Sequence, residues 1–246
     1  MIETSSTNNS DSKMVKIGSF FFHIRNYLFP FFYLILFLPS PRIFNSFYTP
    51  LILGLLILFC GLLIRQLTIG FVNINRAGKN KQVHADILHT DGLFSHCRNP
   101  LYLGNVIEIL GLAILSNSLI FLLIIFPIFV FIYQSIIIAE EDYLYKKFGQ
   151  EYLEYKKRVP RWLANIKGIK KTFHSMNFNY KRVLLKEYTT TFIALLAATL
   201  LIMKLYYYFY PNTFRSSLPY FMLLIALLII AYFIIRYLKK SHKLTS

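Results

Sequence analysis

Six apolar stretches alternate with polar ones along the chain. They run from about Ile17 to Leu38, Tyr48 to Phe71, Leu101 to Leu115, Leu119 to Ala139, Tyr188 to Tyr210 and Leu218 to Tyr237. Most approach or exceed the ~20 residues that cross a bilayer core as a helix. The third has 15 residues, about 22 Å as a helix. Ser116-Asn117-Ser118 separates it from the fourth, which predicts a helical hairpin whose two ends return to the same side, spanning or re-entrant. SPRIFNSF reads as a short turn between the first two stretches. Pro30 and Pro127 are expected to kink their helices. Arg25 and Arg65 are expected to snorkel to the headgroups.

The polar segments predict the remaining organisation. Residues 1–16 are rich in Ser, Thr and Asn and read as a disordered tail. No small-residue cleavage site follows the first apolar run, so no cleavable signal peptide is expected. From Glu140 to Arg161, apolar or aromatic residues fall at Tyr143, Leu144, Phe148, Tyr152, Tyr155 and Val159. That spacing predicts an amphipathic interfacial helix broken near Gly149, with Trp162 at headgroup depth. Residues 164–187 form a basic linker, 188–237 a C-terminal hairpin and 238–246 a basic tail.

Composition supports an all-α polytopic membrane protein of about six transmembrane helices: the chain is 56% hydrophobic and 17% aromatic. The net charge of +16 is read as loop charge meeting anionic lipid, not as a nucleic-acid site, because no folded basic face carries it. With six crossings and both termini inside, 22 of the 27 Lys and Arg fall on the cytoplasmic side, two fall outside and three lie within spans. This asymmetry is a positive-inside signal. It places 72–98 and 140–187 at the cytoplasmic face. Cys60 and Cys97 are expected at different depths and unbonded.

The candidate chemistry lies in those two cytoplasmic stretches. There is no G-x-G-x-x-G after a strand and no P-loop around Gly78-Lys79. His84, His89 and His96 match no metal-ligand spacing, so no metal is expected. The stretch DGLFSHCRNPLYLGN, Asp91 to Asn105, is different. Asn99-Pro100 predicts a helix start with Pro100 at its first position. Free N–H groups there suit an anionic group; the plain alternative is a capped membrane helix with Gly104 as a packing residue. Glu140 and Glu141 close the next arm, at the unfavourable end of a helix dipole, so a cation is expected beside them. The choice is a ligand or a surface pair with Lys146 or Lys147. Glu108 is an intramembrane acid, read either as functional or as a neutral acid bonded to a neighbouring helix.

Two motifs in order, G-L-F-x-x-x-R-N-P-L-Y-L-G-N and E-E-x-x-L-x-x-x-F-G-x-x-Y-x-x-Y-x-x-x-V-P-R, separated by an apolar hairpin, resemble the isoprenylcysteine carboxyl methyltransferase family. These are membrane methyltransferases related to phospholipid N-methyltransferases. The resemblance covers residues 76–163 within an expected core of 17–163. It implies S-adenosylmethionine as cofactor in a cytoplasmic-side pocket without a Rossmann fold. It implies cofactor contacts at Asp86, Ile87, Leu88, His89, Phe94, Asn99, Pro100, Leu101, Tyr102 and Glu140. Arg98, Glu141 and Arg161 are read beside it as the catalytic residues, with Arg98 ordering the loop. The acceptor it implies is a lipophilic small molecule or a lipidated protein reached from the bilayer, in a bacterial inner membrane or the endoplasmic reticulum. The chain departs from eukaryotic members at Asn99, where they read His, and at Ile136, where they place a substrate-binding Arg. A lipid N-methyltransferase, an NADPH-dependent sterol-type reductase and a non-catalytic membrane protein are the other readings.

Overall fold

The computed structural model describes residues 7–73 and 85–241, with side chains from residue 13 onward. Arg76, Lys79, Lys81 and His84 lie outside the described residues, as do residues 1–6 of the expected tail. Every regular element among the described residues is helical. The long helices are α1 (Thr7–Ile35), α2 (Tyr48–Phe71), α3 (Pro100–Leu115) and α4 (Phe126–Phe148). Short helices α5 (Gln150–Arg158) and α6 (Ile169–Ser175) precede the long pair α7 (Tyr180–Phe209) and α8 (Pro211–Lys240).

Four helices are long and apolar enough to cross a membrane: Tyr48–Phe71, Phe121–Phe148, Tyr180–Phe209 and Pro211–Lys240. This is a multi-pass integral membrane protein. α3 has 16 residues and falls short of that measure. α1 has 29 residues, but His23, Arg25 and Asn26 interrupt its apolar run. The expected six apolar segments therefore appear as helices, four of them with the length and hydropathy of full spans.

Several boundaries differ from the sequence reading. α1 starts at Thr7, inside the stretch expected to be a disordered tail. A helix begun by the apolar segment extends into polar sequence that has no Pro or Gly to stop it. The fourth arm does not end at Ala139. α4 continues to Phe148 and stops at Gly149, whose φ of 54° lies in the left-handed region. Glu140 and Glu141 are therefore helix-interior residues, and the cation expected from the helix dipole is not required by it. Before Pro127, Phe121–Ile125 forms a π-helical turn in which the Phe126 N–H bonds the Phe121 carbonyl. Pro127 has no N–H to donate, and the wider turn absorbs the missing bond.

α2 and α3 form the closest pair. A Cβ on Gly61 would lie 2.5 Å from the Glu108 nitrogen, and one on Gly111 would meet the Leu58 backbone. Small residues let two helix backbones approach this closely, as in membrane interfaces generally. A Cβ on Gly104 would meet the Arg65 side chain, so the space beside Gly104 belongs to α2. α1 packs on α4, and α7 lies across α2 and α3. At the opposite end from Arg98, Asn117 takes φ 53° and receives the Ile43 and Phe44 N–H groups at 3.0 and 2.8 Å, tying the α1–α2 loop to the α3–α4 turn. α8 packs on α7 and buries none of its residues.

Candidate functional site

α1, α2, α3, α4 and α7 surround one cavity of about 750 Å³. Its mouth is built by the segment Ala85 to His89, by Phe94 and by the start of α3. All ten residues expected to contact the cofactor line it: Asp86, Ile87, Leu88, His89, Phe94, Asn99, Pro100, Leu101, Tyr102 and Glu140. These positions are separated by up to 54 residues in sequence. The α3–α4 hairpin is what returns Glu140 beside Tyr102.

The start of α3 has the predicted form. Asn99 stands at the N-cap with Pro100 at the first position, and no side chain caps the helix. Asn99 instead donates its Nδ2 to the Arg161 carbonyl at 3.3 Å. The first-turn N–H groups and the positive end of the dipole thus remain available to an anion.

Glu140 is buried, and its Oε1 accepts from the Tyr102 hydroxyl at 2.5 Å. Arg25 donates to the same hydroxyl at 3.2 Å and lies 4.0 Å from Glu140, with its guanidinium 3.8 Å above the Phe22 ring. Arg25 is thus a cavity residue and not a snorkelling one. Lys146 pairs with Asp142 at 2.6 Å, and Lys147 reaches the Ala85 carbonyl, so neither is the partner of Glu140 or Glu141. Burial, helped by Lys186 and opposed by Asp91, holds the His89 imidazole below its ordinary value.

Arg98, Glu141 and Arg161 come together, but as a clasp. Glu141 is 6% exposed and does not line the cavity. Its Oε1 accepts from Arg98 Nε and Nη2 at 3.1 and 3.0 Å and from Arg161 Nε at 3.1 Å. Its Oε2 accepts from Arg161 Nη2 at 2.8 Å. Arg98 Nη1 also caps the end of α5, donating to the Lys156 and Val159 carbonyls at 3.0 Å each. The Arg98 N–H bonds the Pro160 carbonyl at 2.9 Å. Of the three residues given catalytic-region roles, only Arg98 touches the cavity. Trp162 is drawn in as well: it docks on α4 through Nε1 to Gln134 Oε1 at 2.6 Å.

The cavity also holds a polar cluster, of which the sequence reading singled out Glu108 but missed the pairing of Arg65. Arg65 is buried and paired with Glu187 of α7 through Nε at 2.9 Å and Nη2 at 2.7 Å. It also reaches Asn105 Oδ1, while Asn105 donates to the Tyr133 hydroxyl at 2.8 Å. Snorkelling was the wrong expectation, because α7 supplies a carboxylate at the same depth. Charge within an apolar segment was the available signal for Arg65; for Glu187 there was none, since it sits in a stretch read as linker. Glu108, 3% exposed, accepts from Tyr33 at 3.1 Å through Oε1, whereas its Oε2 has no hydrogen-bond partner. Ile136 is fully buried and away from the cavity.

Residues 49–151 match the family model described as phospholipid methyltransferase. That region is similar to phospholipid methyltransferases. The chain is 35% identical over 124 residues to the protein-S-isoprenylcysteine O-methyltransferase of Xenopus laevis, covering 48% of this chain and 42% of that protein. It is 32% identical over 120 residues to the protein of the same name in Rattus norvegicus, again 48% and 42%. The cobalt-zinc-cadmium resistance protein CzcN of Cupriavidus metallidurans is 34% identical over 79 residues, 32% of this chain and 36% of that one. The matched part of the chain is thus similar to isoprenylcysteine O-methyltransferases. The chain spans about two fifths of the length of the isoprenylcysteine relatives. No solved structure matches it.

Proposed function

We propose that this protein transfers a methyl group from S-adenosylmethionine to a lipophilic acceptor at the cytoplasmic face of the membrane. One observation carries the reading: a single cavity gathers the ten residues that the family resemblance assigns to the cofactor. The residues suit that molecule. The uncapped start of α3 offers N–H groups to a carboxylate. Glu140 offers an acid to an ammonium, and Phe94 and Tyr102 offer aromatic faces to a sulfonium. When bound, the cofactor supplies an electrophilic methyl group. The chain contributes placement, which by itself is worth several orders of magnitude in rate.

The clasp of Arg98, Glu141 and Arg161 is a positioning device. It holds α5 and the following turn over the start of α3, so it orders the mouth of the cavity without touching the reacting atoms. Tyr155 reinforces this, donating to the Phe94 carbonyl at 2.8 Å. The apolar wall from Phe29, Pro30 and Leu34 of α1 and Ile193, Leu196 and Ala197 of α7 suits an acyl or prenyl chain arriving from the bilayer. The excess of basic residues on the loops bearing this mouth supports a cytoplasmic orientation. Transfer to an oxygen, as in the isoprenylcysteine relatives' name, is the first acceptor reading. Transfer to a lipid amine is the second, favoured by the match to the phospholipid methyltransferase model.

Purified full-length protein in detergent, titrated with S-adenosylmethionine and separately with NADPH, tests the proposal. Saturable binding of the first alone is expected. Binding of NADPH in its place would refute it in favour of a reductase. Transfer of labelled methyl into a membrane lipid or protein extract then identifies the acceptor class.

A further inference from the structure

Four tyrosines line the cavity, Tyr33, Tyr102, Tyr133 and Tyr155, and three of them give their hydroxyl protons to the protein. Tyr33 donates to Glu108 at 3.1 Å, Tyr102 to Glu140 at 2.5 Å and Tyr155 to the Phe94 carbonyl at 2.8 Å. Tyr133 is different. Its oxygen accepts from Asn105 Nδ2 at 2.8 Å, and among the described residues no acceptor takes its proton. The residue is 3% exposed. A hydroxyl buried this far ordinarily finds a partner for its proton.

The direction of that one bond is imposed through α7. Glu187 accepts from Arg65 Nε at 2.9 Å and from Nη2 at 2.7 Å. Arg65 Nη1 in turn donates to Asn105 Oδ1. A guanidinium carries donors and no acceptor. It therefore draws the amide oxygen of Asn105 toward itself and turns the amide nitrogen toward Tyr133. The Tyr133 oxygen must then accept, and its proton must leave on the side away from Asn105. Three rings hold the phenol in place meanwhile. It stacks on Phe29 at 4.9 Å and 19°, meets Phe129 edge-on at 4.9 Å, and lies 5.1 Å from the Tyr102 ring.

We propose that Tyr133 is a binding residue for the lipophilic ligand of the cavity, donating its proton to a carbonyl-type oxygen, and that Glu187, Arg65 and Asn105 are the positioning residues that aim it. Tyr133 has one proton to give, and its oxygen is already engaged by Asn105. A carbonyl oxygen takes that proton and asks for nothing in return. The Phe29 and Phe129 rings beside it suit the attached apolar chain. The Tyr102 ring on its other side belongs to the residues proposed for the cofactor, so the bonded oxygen is held at the border of that pocket. This last point rests on the proposed methyl transfer; the hydrogen bond itself does not. α7 acts on the site in this way although it lies outside the matched residues 49–151.

Methyl undecyl ketone, which accepts a hydrogen bond and donates none, tests this. The full-length protein is saturated with it in a maltoside detergent and the excess is removed. Infrared difference spectra between unlabelled and carbonyl-labelled ketone isolate its stretching band. In the unaltered protein the band should lie at lower frequency than in detergent alone. In Tyr133→Phe it should return to the detergent position, with affinity about fivefold weaker. Asn105→Asp is the discriminating variant. Its carboxylate accepts from Arg65 and Tyr133 together, so the Tyr133 proton turns away from the cavity and the shift should vanish with Tyr133 still present. A packing role for either residue would leave the band where it was. No retained ketone, an unshifted band in the unaltered protein, or a shift that survives in Tyr133→Phe would overturn the binding role. A shift that survives in Asn105→Asp would overturn the positioning chain. Circular dichroism reports whether each variant is folded, and if one is not, the other decides. Failure of the unaltered protein to bind S-adenosylmethionine would overturn the methyl-transfer reading instead and leave the ketone result standing.

Discussion

Replacing Glu141 with Ala should loosen the cavity mouth before it alters anything at the reacting atoms. Glu141 holds two arginines through four hydrogen bonds of 2.8 to 3.1 Å. Removing one partner of a buried ion pair generally costs about 3–5 kcal/mol, because a charge is left buried and unpaired. Here the Arg98 side chain is 9% exposed but that of Arg161 is 30% exposed. Arg161 therefore turns to water and recovers part of its loss, which selects the lower end, about 3 kcal/mol. At roughly 1.4 kcal/mol per factor of ten, the open population of the segment should rise about 100-fold. Hydrogen–deuterium exchange over residues 150–163 reads this directly, with α2 and α3 as internal controls. S-adenosylmethionine affinity should fall in parallel, since Asn99 and Phe94 are held by the same segment. Unchanged exchange over 150–163 together with lost turnover would refute the clasp and return Glu141 to a role in the chemistry.

Three other outcomes follow from the same structure. Glu140→Ala should weaken S-adenosylmethionine binding at least tenfold in equilibrium dialysis while leaving the folded yield intact, because Tyr102 and Arg25 still pair with each other. Gly61→Leu should lower the midpoint of thermal unfolding sharply, since a Cβ there meets the backbone of α3 and neither helix yields without separating. Burial pushes the Cys97 thiol up to about 11. A raised value keeps the thiol protonated at neutral pH, so maleimide labelling should stay slow from pH 7 to pH 9 and accelerate only as pH approaches 11; rapid labelling at pH 7 would contradict that burial.

Much of the site was legible because it is written in residue types with narrow uses. Asn99-Pro100 announces a helix start, and the structure has one there, uncapped and facing the cavity. Gly149 announces a break, and α4 stops at it. The apolar hairpin from Leu101 to Ala139 implies that position 140 returns beside position 98, and in the structure Glu141 bonds Arg98 while Glu140 bonds Tyr102 one turn on. Where the sequence misled, the cause was partner choice. Arg25 and Arg65 each have the same local appearance as a snorkelling arginine. Only packing shows that one leans on Tyr102 beside Glu140 and the other meets Glu187. Glu140 and Glu141 are adjacent, and the sequence reading gave one to the cofactor and the other to catalysis; successive helix positions point about 100° apart. One therefore faces the cavity and the other faces the clasp.

What the sequence determined by itself is periodic or local: apolar lengths and helix starts and stops. Hydropathy and backbone chemistry act over a few residues, so those features survive without knowledge of neighbours. The tertiary structure decided which charges neutralise one another. It brought α7, which lies outside the matched residues 49–151, against α2 to pair Arg65 and wall the cavity. It also left one oxygen of Glu108 without a donor. An unsatisfied atom is a property of everything packed around it, and so appears only once the helices are assembled.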